Sequence, residues 1–299
     1  MAPAPDVPAG TQLLTPGSTA LGAALAAATT LAAVLTLAVP GLLSGPAAMS
    51  GSARGTALVV LVGGVPALVV GLAGSLRGSI RMLTITGGAA AYLLYNAVMF
   101  LFATPVNQAF LVYELMLGLG LWFLVVLCRR LWVIGVTLEL RPPRWVAVYV
   151  GTLVVLNALA WLSRVIDATL SRHPDSLLTG TGLTTNPVYV QDLAVWLPAY
   201  AWVAVGIWKA HGPRVLLGAA ALTAWLLEAV GVAVDQWWAH HADPASQVAS
   251  LAAVPAFAVV AVVTVWPLTR ILRSVPDATP SWVAGNERSH PTHRFHAAG

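Results

Sequence analysis

Long apolar runs separated by short polar stretches dominate this chain. Eight of the runs approach or exceed the length that a helix needs to cross the hydrocarbon layer of a membrane, which takes about 20 residues. They lie at residues 19–43, 55–76, 82–103, 109–128, 146–162, 189–208, 215–234 and 248–268. The pattern predicts an all-α integral membrane bundle of about eight transmembrane helices.

Polar stretches rich in Pro, Gly, Ser and His bound the apolar region. We expect disordered tails at residues 1–17 and 275–299, on either side of a transmembrane helical domain at residues 18–274. The histidines of the second tail are expected to be solvated and not to bind a metal ion; they are His290, His293 and His296. No basic segment precedes the first apolar run, which predicts a retained helix and not a signal peptide.

Composition supports the membrane assignment. The chain is 58% hydrophobic and 9% charged, with a mean hydropathy of +0.81, whereas a soluble domain carries about 25% charged residues. Lys209 is the only lysine among 15 basic residues, a bias typical of GC-rich bacterial coding. We therefore expect a multi-pass protein of a bacterial cytoplasmic (inner) membrane, surrounded by membrane lipids.

The basic residues predict an orientation. If both termini are cytoplasmic, three basic residues fall on the outer side, Arg54, Arg164 and Arg172. The other twelve then fall on the cytoplasmic side: Arg77, Arg81, Arg129, Arg130, Arg141, Arg144, Lys209, Arg214, Arg270, Arg273, Arg288 and Arg294. Cytoplasmic loops carry an excess of Lys and Arg, so this asymmetry predicts cytoplasmic termini.

The sequence TNPVYVQD has the signature of a helix that starts at the outer interface. Asn186 can cap the free N–H groups. Pro187 suits the first helical position, because a backbone N–H there would have no partner within the helix. Asp192 then lies about one and a half turns into the sixth helix, where the helix dipole favours negative charge. Pro198 removes a backbone hydrogen bond and should kink the span. Taken alone, Asp192 is best interpreted as a hydrated carboxylate at a helix start.

Polar residues on five predicted helices converge on the outer half of the bundle, while the first, second and eighth predicted spans contain no ionisable residue. Such a layer is typical of a pocket that binds a ligand or exchanges a proton. We assign eleven residues to this outward-facing pocket: Asp192, Glu228, Arg164, Glu114, Asp235, Asp167, Asn186, Tyr95, Asn96, Asn107 and Tyr113.

The net charge of the predicted pocket leaves two interpretations, a functional site and a structural lock. The five acids of the pocket and Arg164 carry a net charge of −4 if all are ionised, which a site of low dielectric does not hold. Some acids must be hydrated, protonated or paired with a cation. Arg164 is the candidate counter-ion, and Glu228 or Glu114 the candidate proton carrier. The alternative is a structural lock of ion pairs and hydrogen bonds that positions helices with no ligand.

The connection at residues 165–185 is the longest within the membrane domain. Its Thr- and Gly-rich end could cover the pocket as a lid, or it could be a slack surface loop. His240, His241 and Asp243 form another outer group, but two adjacent histidines on a loop bind a metal ion only weakly. We predict no metal site and no cofactor.

Several classes of function are excluded. The middle of each predicted span lacks histidine, so two helices cannot ligate haem, and Lys209 lies at a helix end, where it cannot form a buried retinal Schiff base. The single cysteine, Cys128, excludes an intrachain disulfide. Walker, HExxH and GxSxG motifs are absent from the sequence. We expect no catalytic residues and no binding of nucleic acid.

Several short motifs resemble a family of bacterial multi-pass membrane proteins for which no activity is established. They are Tyr95-Asn96, then Asn107, Phe110 and Tyr113, and then the string TTNPVYVQDLA with Pro198. The resemblance covers residues 80–270 and is carried by the pattern T-N-P-V-x-V-x-D-L-A. It implies a multi-helical fold and no particular chemistry. The family has an apolar residue at the position of Glu114, which leaves Asp192 and Asn186 as the better carriers of a shared site.

Three functions remain open on this basis. The first is transport of a small solute or ion through the polar pocket. The second is a non-catalytic membrane subunit or sensor that binds a lipid or a membrane protein partner. The third is an enzyme acting on a lipid headgroup, for which the sequence offers carboxylates but no identifiable nucleophile.

Overall fold

The structure is a computed structural model that describes residues 13–171 and 174–277. Within these residues the chain is helical without strands, and eight helices are long and apolar enough to span a membrane, as predicted. They are α1 Pro16–Ala38, α2 Ala47–Leu76, α3 Ile80–Phe102, α4 Phe110–Val136, α5 Arg144–Leu170, α6 Pro187–Trp208, α7 Gly212–Ala242 and α8 Ala253–Ser274. A 3₁₀ helix, Pro174–Leu178, lies between α5 and α6.

Parts of the predicted tails lie outside the described residues, namely 1–12 and 278–299 with His290, His293 and His296. The described start of the chain packs against the bundle. Leu13 and Leu14 are buried, and the Nε atom of Arg130 donates a hydrogen bond to the Leu13 carbonyl oxygen at 2.7 Å. Helix α1 begins at Pro16, within the segment that the sequence assigned to the tail.

The helices α3 and α7 form the centre of the bundle. Helix α7 packs against α2, α3, α4, α6 and α8, and most residues of α3 are buried. Successive spans run in opposite directions, so the connections at 39–46, 103–109, 171–186 and 243–252 share one end of the bundle. We call this the mouth end. The connections at 77–79, 137–143 and 209–211 lie at the opposite end.

Helices α2 and α7 are longer than their apolar runs. Helix α2 begins at Ala47, eight residues before the predicted run, and therefore also contains Arg54. Helix α7 has 31 residues and a length of about 46 Å, so Asp235 and the following residues continue the helix to Ala242. Glu228 therefore lies close to the middle of α7, deeper than the apolar run alone indicates.

Two spans contain one turn of π-helix followed by a proline. In α2 the turn is Val60–Gly64 and Pro66 follows; in α6 it is Asp192–Trp196 and Pro198 follows. Proline has no N–H to donate to the preceding turn, and a wider turn accommodates its ring without ending the helix. A π turn that begins at Asp192 thus precedes Pro198, the residue at which we predicted a kink.

Candidate functional site

A cavity of about 670 Å³ lies between the helices, partly open at the mouth end. Helices α2, α3, α5, α6, α7 and α8 and the connections at 171–186 and 243–252 line it. Six of the predicted site residues are on its wall: Tyr95, Arg164, Asn186, Asp192, Glu228 and Asp235. The volume falls within the range of about 300–1,000 Å³ that is typical of small-molecule sites.

The start of α6 forms as the sequence predicted. The Oδ1 atom of Asn186 accepts a hydrogen bond from the Val188 backbone N–H at 3.0 Å, and Pro187 occupies the first turn. This cap fixes the helix start, so that the π turn follows immediately and carries Asp192 on the cavity wall.

Two acids of α7 line the same cavity at different depths. Glu228 and Asp235 are seven residues apart and therefore share a helix face, with about 10 Å between them along the axis. Asp235 is nearer the mouth. Glu228 lies about 21 Å from the end of α7 at Ala242, near the middle of the helix. The cavity thus reaches from the mouth to about half the depth of the bundle.

Each of the three carboxylates accepts a hydrogen bond from a neutral donor. Trp161 Nε1 on α5 donates to Asp192 Oδ2 at 2.7 Å. Asn96 Nδ2 on α3 donates to Glu228 Oε2 at 3.4 Å, a long bond. Gln236 Nε2 donates to Asp235 Oδ1 at 3.0 Å. An ionised carboxylate offers about four acceptor positions, so each acid retains capacity for a ligand.

Arg164 lines the cavity from α5 but is an exposed side chain. Among the described residues it forms no ion pair with an acid, so the expected contact with a glutamate is not made. The predicted structural lock combined ion pairs with hydrogen bonds between helices; the ion pair of Arg164 is not formed, whereas hydrogen bonds between helices are. The carboxylates of the cavity are held by neutral donors instead, and their negative charge has no described cation beside it.

Aromatic rings form a continuous wall beside the acids. The ring centres of Tyr95 and Trp196 are 6.1 Å apart, those of Trp196 and Tyr200 are 6.2 Å apart, and those of Tyr200 and Trp225 are 5.0 Å apart. Trp196, Tyr200 and Trp225 were not among the predicted site residues. One signal was present, since residues 192, 196 and 200 are spaced to share a face of α6.

Tyr92 adds a polar group of another kind. Its side chain is 1% exposed and lines the cavity, and its hydroxyl has no hydrogen-bond partner among the described residues. The hydroxyl lies over Gly231 of α7, where a Cβ atom would come within 3.2 Å of it. A buried hydroxyl without a partner is costly, and this one belongs to a residue of the cavity wall.

The remaining predicted residues lie elsewhere. Asn96 is buried behind Glu228, to which it donates. Glu114 is exposed on the outside of α4, and Asp167 is exposed on α5. Asn107 accepts a hydrogen bond from the Ala109 N–H at 2.9 Å in the connection before α4. Neither these four residues nor Tyr113 is part of the cavity wall.

Tyr113 is a packing residue between helices. Its hydroxyl shares a hydrogen bond with Thr36 of α1 at 2.7 Å, and its ring stacks on Phe100 with centres 5.1 Å apart. We expect Tyr113→Phe to lower the free energy of unfolding by about 1 kcal/mol, because it leaves the Thr36 hydroxyl with one partner fewer. Thermal unfolding in detergent measures this loss. Ligand binding in the cavity should be unchanged; a binding defect would place Tyr113 in the site.

The predicted lid segment reaches the cavity with its last part. Thr181 and Leu183 are on the wall, and Gly180 and Gly182 on either side of Thr181 have positive φ angles of 76° and 68°. Glycine adopts this left-handed backbone without steric cost, which lets the chain turn back over the mouth. Arg172 and His173 lie outside the described residues.

The histidines after the seventh predicted span are part of α7. The His241 ring packs on Trp237 with centres 4.0 Å apart, and its Nδ1 atom lies 2.7 Å from the Trp237 carbonyl oxygen. In the part of the chain that the structure describes, no group of three or more His, Cys, Asp or Glu side chains is arranged to hold a metal ion.

No protein-family model, curated protein or solved structure matches the chain. The resemblance to a family of bacterial membrane proteins therefore depends on the motif residues alone.

Proposed function

We propose that this protein is a transporter-like membrane protein that binds a small solute or ion in the cavity and exchanges a proton at its carboxylates. One observation carries the proposal: Asp192, Glu228 and Asp235 line a large cavity, and each accepts a hydrogen bond from a neutral donor among the described residues. Ionisable residues within a membrane are costly and typically mark a ligand or proton pathway.

The depth of the cavity supports transport. Binding sites of secondary transporters lie near the middle of the membrane, at helices whose regular hydrogen bonding is interrupted. Glu228 lies near the middle of α7, and Asp192 begins the π turn of α6. Below the cavity, Gly88 of α3 is so close to Ala220 and Thr223 of α7 that a Cβ atom would not fit. Transport would require this packed half to open.

The orientation is part of the same proposal. We infer a bacterial cytoplasmic membrane with the mouth end facing outward, because most basic residues lie toward the opposite end. The ligand would then enter from outside the cell. A membrane subunit or sensor would bind its ligand in the same cavity without moving it, and an experiment that measures movement separates the two.

Accessible cysteines provide the test, because Cys128 is the only native cysteine. In a Cys128→Ser background, Ser52→Cys places a thiol on the cavity wall. Ser163→Cys is the matched control, since Ser163 is exposed on α5 and is not part of the wall. Both proteins are reconstituted in liposomes, and uptake of radiolabelled choline, acetate, alanine and glucose is measured while a trapped dye reports lumenal pH.

We expect one of these solutes to accumulate with a change in lumenal pH. A methanethiosulfonate reagent should block that uptake in Ser52→Cys and not in Ser163→Cys. Absence of uptake for all four solutes rejects transport of these classes and favours the sensor or subunit. Uptake that is blocked equally at both positions would place the pathway outside the cavity.

A further inference from the structure

The geometry points to an organic cation, a protonated amine or quaternary ammonium group, as the ligand of the cavity. This inference concerns the same site as the proposed function, but it specifies the chemistry of the ligand and not its movement. Three independent features lead to it: the charge of the wall, its aromatic rings and the hydroxyl of Tyr92.

The charge of the wall favours a positive ligand. Asp192, Glu228 and Asp235 contribute carboxyl groups, and the one arginine of the wall, Arg164, is exposed and pairs with none of them in the described part of the chain. Removing carboxylates from water is costly unless a cation compensates them. A cationic ligand supplies that compensation, whereas an anionic ligand would add to the charge.

The aromatic wall favours an organic cation over a hydrated one. Trp196, Tyr200 and Trp225 present successive rings beside the acids, and the faces of such rings attract ammonium groups. Elsewhere the protein uses its own cations in this way: Arg214 lies 4.4 Å from the ring centre of Trp202. Among the described residues, no arginine or lysine occupies the rings of the cavity.

The Tyr92 hydroxyl supplies a hydrogen-bonding position that lacks a partner. The side chain is 1% exposed, lines the cavity and forms no hydrogen bond within the described residues. Its oxygen can accept a hydrogen bond from an ammonium N–H, or donate one to a polar group attached to the cation. Because the observation concerns an orphaned polar atom, it is independent of the acidic charge.

A bare metal ion fits the cavity less well. The described residues contain no arrangement of three or more His, Cys, Asp or Glu groups suited to a metal, and two of the acids are separated by about 10 Å along α7. A cavity of about 670 Å³ lined by rings instead matches a ligand with apolar surface around its charge.

The test compares two ligands that differ in charge alone. Choline is the probe, and 3,3-dimethyl-1-butanol is the control, because it replaces the quaternary nitrogen by carbon at nearly the same shape. Binding to the purified full chain is followed by tryptophan fluorescence and by thermal unfolding. We expect choline to bind and the neutral analogue to bind at least about tenfold more weakly. Equal binding of both, or binding of acetate only, overturns the inference.

Variants locate the binding. Trp196→Leu should weaken choline binding about tenfold, whereas Trp122→Leu should not, because Trp122 is 64% exposed on α4 outside the cavity. Trp196→Phe, which keeps a ring, should recover part of the affinity and guards against a folding defect. If Trp122→Leu weakens binding as much as Trp196→Leu does, choline binds elsewhere and the inference fails.

Two sources could supply the ammonium group, a free solute or a lipid headgroup. Nanodiscs of phosphatidylglycerol with and without phosphatidylcholine distinguish them, because a lipid in the site would compete with choline. Either source supports the inference. The proposed function fails separately. Choline binding in the absence of uptake of all four solutes rejects transport and leaves the ligand class intact. Uptake of glucose or acetate without choline binding supports transport and rejects the ligand class.

Discussion

Replacing Glu228 by glutamine is expected to reduce proton-coupled uptake by about 10- to 100-fold and to leave the protein folded. Glutamine keeps the length of the side chain and an oxygen that can accept the hydrogen bond from Asn96 Nδ2. Only the exchangeable proton and the charge are lost, and an interaction with a charged group contributes about 1.5–3 kcal/mol. Uptake in liposomes measures the loss, and thermal unfolding confirms the fold.

Glu114→Gln is the matched control for this experiment. Both residues are glutamates of membrane-spanning helices, but Glu114 is exposed on the outside of α4 and does not line the cavity. Its replacement should therefore leave uptake unchanged. Wild-type uptake in Glu228→Gln would remove Glu228 from the mechanism. A loss in Glu114→Gln alone would restore the prediction that Glu114 carries the proton.

The contrast between these two glutamates shows what the sequence could predict. Residue spacing gives depth, because each helical residue advances about 1.5 Å, and it placed both acids within the membrane. Spacing does not determine which side of a helix faces the bundle and which side faces outward. In a soluble helix a polar face marks the surface, but in a membrane both faces are apolar, so α4 gave no sign that Tyr113 is buried and its neighbour Glu114 is exposed.

Elements with local causes were predictable. The eight spans follow from length and hydropathy, and the start of α6 follows from the capping chemistry of Asn186 and Pro187. The C-terminal end of α7 was not predictable, because the polar and aromatic residues after Val234 continue the helix beyond the apolar run. The aromatic wall was not predicted for a related reason. Trp225 of α7 contacts Tyr200 of α6, and the sequence does not show which helices pack against each other.

Gly55→Leu is expected to destabilise the protein severely, because α2 and α7 contact each other through backbone at this position. A Cβ atom on Gly55 would lie 2.7 Å from Asp235 Cα and 3.0 Å from the Val234 carbonyl oxygen. Gly51, one turn earlier, would meet the Trp238 carbonyl oxygen at 2.7 Å. The two glycines form the small-xxx-small spacing that lets membrane helices approach closely, and backbone atoms cannot rotate away as a side chain can.

The cost should exceed the 1–3 kcal/mol that is typical of overpacking a core, because a leucine can be accommodated only if α2 moves away from α7. Thermal unfolding in detergent measures it. Gly118→Leu is the control, since a Cβ atom on Gly118 meets no atom within 4 Å, and its unfolding temperature should be unchanged or raised.

Choline binding to Gly55→Leu extends this prediction to the site. Ser52 and Thr56 of α2 and Asp235 of α7 all line the cavity, and Gly55 lies between the first two at the point where the helices touch. Any Gly55→Leu protein that remains folded should therefore bind choline more weakly than Gly118→Leu does. Wild-type stability together with wild-type binding would mean that α2 and α7 are not in backbone contact, and that the wall of the cavity does not depend on their packing.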